Sequence, residues 1–137
     1  MQAPIQVVAA IFTREVSGVT EVLICQRRED QSFAGQWEFP GGKVEAGESL
    51  VAALARELEE ELGVRTEIGR RVAAVRHAYA DGKSVELHFH LVDRLEGELA
   101  NRIFQQILWC PLSELRKYTF LEADRGIVQR LAIGELL

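Results

Sequence analysis

The stretch from Ser49 to Gly63, SLVAALARELEEELG, dictates more about the fold than any other part of the chain. Val51, Leu54, Ala55, Leu58 and Leu62 recur at helical spacing, the Ser49 hydroxyl can cap the first turn, and Gly63 can close the last. A helix over 49–62 is predicted, and its apolar stripe must be buried against another layer. Glu57, Glu59, Glu60 and Glu61 crowd its second half. With about 100° of rotation per residue, Glu57 at 0° puts Glu61 at about 40° and Glu60 at about 300°, whereas Glu59 falls at about 200°. Three carboxylates therefore share a face along the margin of the stripe, and the fourth points away.

Like charges about 4 Å apart repel by about 1 kcal/mol in water and by about 4 kcal/mol at an effective dielectric of 20. Such a cluster destabilises the helix unless something compensates. A hard divalent cation would do so, because carboxylate oxygens suit Mg²⁺, Mn²⁺ and Ca²⁺. A solvated acidic face with an internal partner such as Arg56 is the alternative. The helix alone leaves both open.

Around it, residues 5–12 (IQVVAAIF) and 20–27 (TEVLICQR) have strand composition, with turn chemistry at Ser17-Gly18, and read as two neighbouring strands. Residues 30–48 hold Gly35, Pro40, Gly41, Gly42 and Gly47 and read as a structured loop anchored by Phe33, Trp37 and Phe39. Strands follow at 72–79 and 85–93 about an Asp81-Gly82 turn, and at 105–110. Helices are expected at 112–117 and 122–136, the latter with Ile127, Val128, Leu131 and Ala132 on its apolar face. Hairpins mixed with separated amphipathic helices imply an α/β fold, a mixed sheet with helices on its faces.

At 137 residues and 47% hydrophobic composition, residues 1–137 read as a single domain. No apolar run reaches the roughly 18 residues of a membrane span, and Met1-Gln2-Ala3-Pro4 shows no targeting signal. Cys25 and Cys110 sit in apolar runs without metal-ligand spacing, as buried thiols of a cytoplasmic protein would. A net charge of -5 argues against a nucleic-acid duplex as partner. A small phosphorylated ligand stays compatible if a cation reverses the field at the acidic cluster.

The residues leading into the helix sharpen this. Gly42, Glu48, Arg56-Glu57-Leu58, Glu60-Glu61 and Gly63-Val64 stand at every fixed position of the Nudix box, so the chain resembles the Nudix hydrolases. The resemblance implies an α/β/α sandwich with a central mixed sheet, the box forming a loop, a helix and a second loop. It also implies hydrolysis, assisted by Mg²⁺ or Mn²⁺, of a nucleoside diphosphate linked to another group. Glu57, Glu60 and Glu61 then match the catalytic metal ligands, a backbone carbonyl at Gly41 or Gly42 completes the site, and Glu48 and Arg56 brace it.

WEFPGGKVE, LWCPLSEL and the Ala123-Asp124 helix start extend the likeness to the short MutT-type, CTP-pyrophosphohydrolase-like branch. That branch releases a nucleoside monophosphate and pyrophosphate from a nucleoside triphosphate, with Glu57 the first candidate for activating the water. Where the branch often carries a further glutamate ahead of Trp109, this chain has Ile103, with Glu96 and Glu98 upstream. By the same likeness Arg28 contacts phosphates, Phe39, next to Pro40, lies beside the base, and Asp124 reads the base edge; Lys43, just after the glycine pair, is a second candidate for phosphate, and Glu38 either assists at the base or is structural. His77, His88 and His90 read as satisfied sheet histidines, with a place along the nucleotide cleft as the alternative.

An ionised Asp only accepts hydrogen bonds and suits cytosine N4 or guanine N1/N2, whereas a protonated one also donates. Two substrate classes follow: an oxidised purine such as 8-oxo-dGTP, or a cytosine nucleotide such as CTP, dCTP or 5-methyl-dCTP. Tyr79 stands near a tyrosine of diadenosine-polyphosphate hydrolases, an alternative reading. A nucleotide-binding module without catalysis would expect damaged box carboxylates, and these are intact.

Overall fold

The computed structural model describes residues 3–137. The first apolar runs form β1 (Ile5–Ile11), β2 (Thr13–Val16) and β3 (Val19–Gln26). β1 and β3 are not sheet neighbours as expected. β3 turns back on β2 through Ser17 and Gly18, at φ 51° and 79°, and meets the end of β1 only where the Leu23 amide donates to the Phe12 carbonyl at 3.2 Å. Two consecutive left-handed residues suit the tight hairpin that a twisted strand pair prefers.

The breaker-rich stretch is also more regular than a loop. It contributes β4 (Trp37–Glu38), paired with β3, and β5 (Gly41–Lys43), paired with β1. Then come α1 (Leu50–Leu62), β6 (Arg65–Ala78), β7 (Ser84–Glu96), β8 (Gln106–Pro111) and α2 (Arg125–Ala132), with 3-10 turns at Leu112–Lys117 and Glu122–Asp124. One sheet has the order β5-β1-β7-β6 and is mixed, because β1 runs parallel to β7. In the other, β3 lies antiparallel to β8 on one edge and to β2 and β4 on the other.

The continuous apolar runs of β1 and β3 are explained by cover on both faces. Val8, Ala10 and Phe12, with Leu23 and Cys25, pack under Leu54, Leu58 and Leu62 of α1. Ala9 and Ile11, with Val22 and Ile24, face Ile127, Val128 and Leu131 of α2. This is the expected α/β/α sandwich.

β6 starts at Arg65 instead of residue 72. Register shifts between Glu67 and Ala73 break its period-two alternation, and its exposed face is charged, so it lacks a strand signature until the bulges end. α2 stops at Ala132, short of residue 136, because Gly134 adopts φ 85° and its amide donates to the Leu131 carbonyl. In α1, Val51 is exposed and Ala53 is fully buried in its place. α1 packs on β5 as well as on β1 and β6, which moves its buried sector toward the carboxylates.

Candidate active site

α1 is capped as its sequence demands. The Ser49 hydroxyl accepts from the Ala52 amide, and Gly63, at φ 69°, donates its amide to the Glu59 carbonyl. The helix lies with its second half against the glycine pair of β5. A Cβ on Gly42 would fall 2.5–2.7 Å from the carboxylate atoms of Glu57, and a Cβ on Gly41 would collide with the Val8 carbonyl. Only glycine lets the β5 backbone come this close to both α1 and β1.

Glu61 is buried, and its Oε1 accepts from the Gly41 amide at 3.0 Å. Burial first, then the charges of Glu57 and Glu38, push its carboxyl up to about 8, partly offset by the Gly41 hydrogen bond. Burial also raises Glu57, against the pull of Arg56. Arg56 braces the group: its Nε and Nη2 donate to the two Glu48 oxygens at 2.8 and 2.9 Å, and its Nη1 to Glu57 at 3.1 Å and to Glu60 at 3.4 Å. Its Nη2 also reaches the Lys43 carbonyl at 3.2 Å, tying β5 to the helix. The Arg56 fork, helped by the Glu45 amide, draws the Glu48 carboxyl down to about 2. Glu59 is exposed, as the helical rotation predicts.

Among the described residues, no three His, Cys, Asp or Glu side chains converge into a closed cage for a cation. Glu57 and Glu60 lean on Arg56 and Glu61 on Gly41. The donor set nevertheless fits a hard divalent ion. Carboxylate oxygens meet bare glycine backbone, and Glu60, 59% exposed with only 3.4 Å contacts to Arg56, can turn.

Next to the carboxylates, a cleft of about 140 Å³ is lined by Glu38, Phe39, Gly41, Gly42, Tyr79 and Asp124, with apolar walls from β1 and β7. The sequence-chosen residues Glu38, Phe39 and Asp124 are thus brought together beside the glycine pair. Asp124 is 4% exposed, and burial, reinforced by Glu38 and opposed by the Phe39 amide, pushes its carboxyl up to about 8. Glu38 is raised by burial and lowered by Arg27, whose Nη1 donates to it at 2.9 Å.

Other choices fall elsewhere. Arg28 pairs with Asp30 at 3.1 Å on an exposed loop and does not line the cleft. Lys43 is exposed, and the Pro40 carbonyl is taken by the Ala10 amide at 2.8 Å. His77 does not line the cleft; it packs edge-on against Tyr79, which does, with its Nε2 3.8 Å from Glu122 and without a hydrogen-bond partner. His88 is held between Arg71 and Gln6, and the His90 Nδ1–H donates to the Gly69 carbonyl at 3.1 Å. Sequence reasoning missed Arg27, because adjacent arginines cannot be ranked without knowing which faces Glu38. It also set Tyr79 aside for a different substrate, although Tyr79 lines the cleft.

A sandwich that presses a carboxylate-bearing helix onto a glycine pair, beside a cleft with acidic residues at its wall, defines a hydrolase for phosphate-linked substrates. The chain belongs to the Nudix family: the NUDIX domain model matches residues 4–131. It is 39% identical over 125 residues to the CTP pyrophosphohydrolase of Escherichia coli (strain K12), covering 91% of this chain and 89% of that one. It is 36% identical over 127 residues to the 8-oxo-dGTP diphosphatase of Haemophilus influenzae, covering 93% and 90%. Among solved structures, the MutT protein from Methanosarcina mazei Go1 superposes with a TM-score of 0.80 at 27% identity, covering 96% and 95%. Divalent-metal dependence is general in this family, and no helix among the described residues is long and apolar enough to cross a membrane.

Proposed function

We propose that the protein is a Mg²⁺-dependent pyrophosphohydrolase of free nucleoside triphosphates, releasing a nucleoside monophosphate and pyrophosphate. The observation that carries this is the contiguity of two parts: the carboxylates of α1 against Gly41 and Gly42, and the cleft ending in Asp124, which shares those glycines. Phosphates at the first and a base in the second are the two ends of one nucleotide. Relatives named for CTP and 8-oxo-dGTP support the same reading.

Glu57, Glu60, Glu61 and a carbonyl of the glycine pair are the groups to hold the cation, which would supply charge neutralisation at the phosphoryl oxygens and acidify water. Glu57 takes the proton of the attacking water, and Arg56, itself held by Glu48, donates directly to Glu57 and fixes where its carboxylate points. Arg28 and Lys43, exposed on flanking segments, approach the outer phosphates by side-chain rotation. In the cleft Phe39 packs on the base and Asp124 reads its edge, with Glu38 assisting from the same lining and His77 contacting substrate from beside Tyr79.

A carboxyl raised by burial offers one donor and one acceptor near neutrality, which matches cytosine N3 and N4 or guanine O6 and N1. The substrate is therefore a cytosine nucleotide (CTP, dCTP, 5-methyl-dCTP) or an oxidised purine such as 8-oxo-dGTP. In the second case the role is cleaning of the nucleotide pool. We assign the activity to a single domain over residues 1–137, in the cytoplasm, where the two buried free thiols, Cys25 and Cys110, stay reduced. The test is product analysis with a panel of these nucleotides and Mg²⁺, ranked by kcat/KM. Pyrophosphate release from at least one class is expected, and absence of turnover with every member would refute the proposal.

A further inference from the structure

The second half of α1 poses an electrostatic problem that its own sequence does not solve. A helix C-terminus carries about half a negative charge, so acids there are unfavourable and a nearby cation is favourable. α1 places Glu59, Glu60 and Glu61 in its last turn and has no basic residue there. Its final carbonyls also need donors from outside the helix.

Both needs are met by the segment between β7 and β8. The Ala100 amide donates to the Leu62 carbonyl at 2.9 Å and the Arg102 amide to the Glu61 carbonyl at 3.1 Å. Nη1 of Arg102 donates to the Glu59 carbonyl at 3.1 Å. Its guanidinium lies so close over Gly63 that an added Cβ there would stand 2.9–3.1 Å from Nη2, Cζ and Nε. The segment is itself pinned. Asn101 bonds both the amide and the carbonyl of Phe104, at 2.8 and 2.9 Å, and the Gln105 amide donates to Gln26. Ile103 packs with the apolar cluster beneath α1.

We propose that Arg102 is a positioning residue for the metal-holding helix: from the β7–β8 segment it supplies the missing C-terminal cation and fixes the turn that bears Glu60 and Glu61. The segment that in related enzymes offers a glutamate here grips the helix instead, with an apolar anchor at Ile103. Glu57 on α1 keeps the proton-accepting role proposed for it above. Glu96 is not a substitute from this segment, because it is the end residue of β7, paired opposite Arg65.

This rests on the reading of Glu57, Glu60 and Glu61 as metal ligands, and its test reads metal binding directly. Mn²⁺ titration of the nucleotide-free protein, followed by electron paramagnetic resonance, compares the wild type with Arg102→Ala and Arg102→Lys. Arg102→Ala should bind Mn²⁺ about tenfold more weakly, the range set by partners that orient metal ligands. Its nucleotide KM at saturating metal should stay within about twofold, and amides 60–63 should exchange faster. Arg102→Lys keeps the charge without the fork and should fall in between; it decides the matter if the alanine variant does not fold. Mn²⁺ affinity unchanged in a folded variant overturns the role of Arg102 alone. A wild type that binds no Mn²⁺ overturns the ligand assignment and this proposal together.

Discussion

Gly41 and Gly42 are adjacent, yet the structure predicts opposite consequences for an alanine at each. At Gly42 the added carbon would lie 2.5–2.7 Å from Cδ, Oε1 and Oε2 of Glu57, atoms at the far end of a flexible side chain. Glu57 can swing aside, so the cost to the fold should stay within about 1 kcal/mol, a shift of roughly 2–4 °C in Tm for a chain of this size. The carboxylate would then no longer face the glycine backbone, and loss of one correctly placed ligand should weaken metal binding by about 10- to 100-fold and reduce turnover at limiting Mg²⁺ at least as much. At Gly41 the carbon would strike the Val8 carbonyl, which is backbone in the centre of the mixed sheet. Relief there requires β5 to separate from β1, and destabilisation above about 3 kcal/mol is expected. Thermal melts, Mn²⁺ titration and pyrophosphate release on the two variants check the pair. A Gly42→Ala enzyme with wild-type metal affinity and wild-type turnover would show that Glu57 does not act at this backbone.

Three further outcomes follow from the same geometry. Glu61→Gln should lower turnover by more than about 100-fold while holding or raising Tm by about 2 °C, since it replaces a carboxyl whose ionisation burial and Glu57 disfavour and leaves an acceptor for Gly41; a stability loss with retained activity would contradict it. Arg56→Lys keeps the charge but loses the bidentate grip on Glu48, so metal affinity should drop by about tenfold with little change in nucleotide KM at saturating metal. Asp124 has a folded-state pKa raised from 3.8 to about 8, so the folded protein binds the extra proton between these values. Its contribution to stability is therefore fully present below about pH 4 and is lost as pH rises toward 8. Asp124→Asn cannot ionise. Its Tm advantage over the wild type should grow between pH 5 and pH 8 by at least about 2 °C, and its base preference should change more than its metal affinity. A flat Tm difference across that range, or an equal loss over all bases, would remove the buried-acid role.

The parts of this protein that could be read from sequence are those fixed by local chemistry. Ser49, the four-residue apolar recurrence and Gly63 act within one helix, and the rotation that groups Glu57, Glu60 and Glu61 while excluding Glu59 needs no tertiary information. The Arg56 brace was legible for the same reason, since Glu60 is one turn away; its stronger bond to Glu48 crosses only the loop before the helix. What escaped depends on partners distant in sequence. β4 and β5 are strands only because β3 and β1 lie alongside them, and a Pro-Gly-Gly stretch carries no strand propensity of its own. β6 was cut short because bulges destroy the alternation by which strands are recognised.

The same distinction separates Arg56 from Arg102. Both bind the second half of one helix, Arg56 at its carboxylates and Arg102 at its last carbonyls, but Arg56 sits inside the box while Arg102 reaches it across 43 positions, from a segment whose sequence shows only that an expected glutamate is missing. An absent side chain reads as a loss in the sequence. In the folded chain that segment donates three hydrogen bonds to the last turn of α1 and brings a cation to its most negative end. At Ile103 the segment presents an apolar side chain to the cluster beneath α1, so the same few residues that anchor it in the core also hold Ala100 and Arg102 against the helix end.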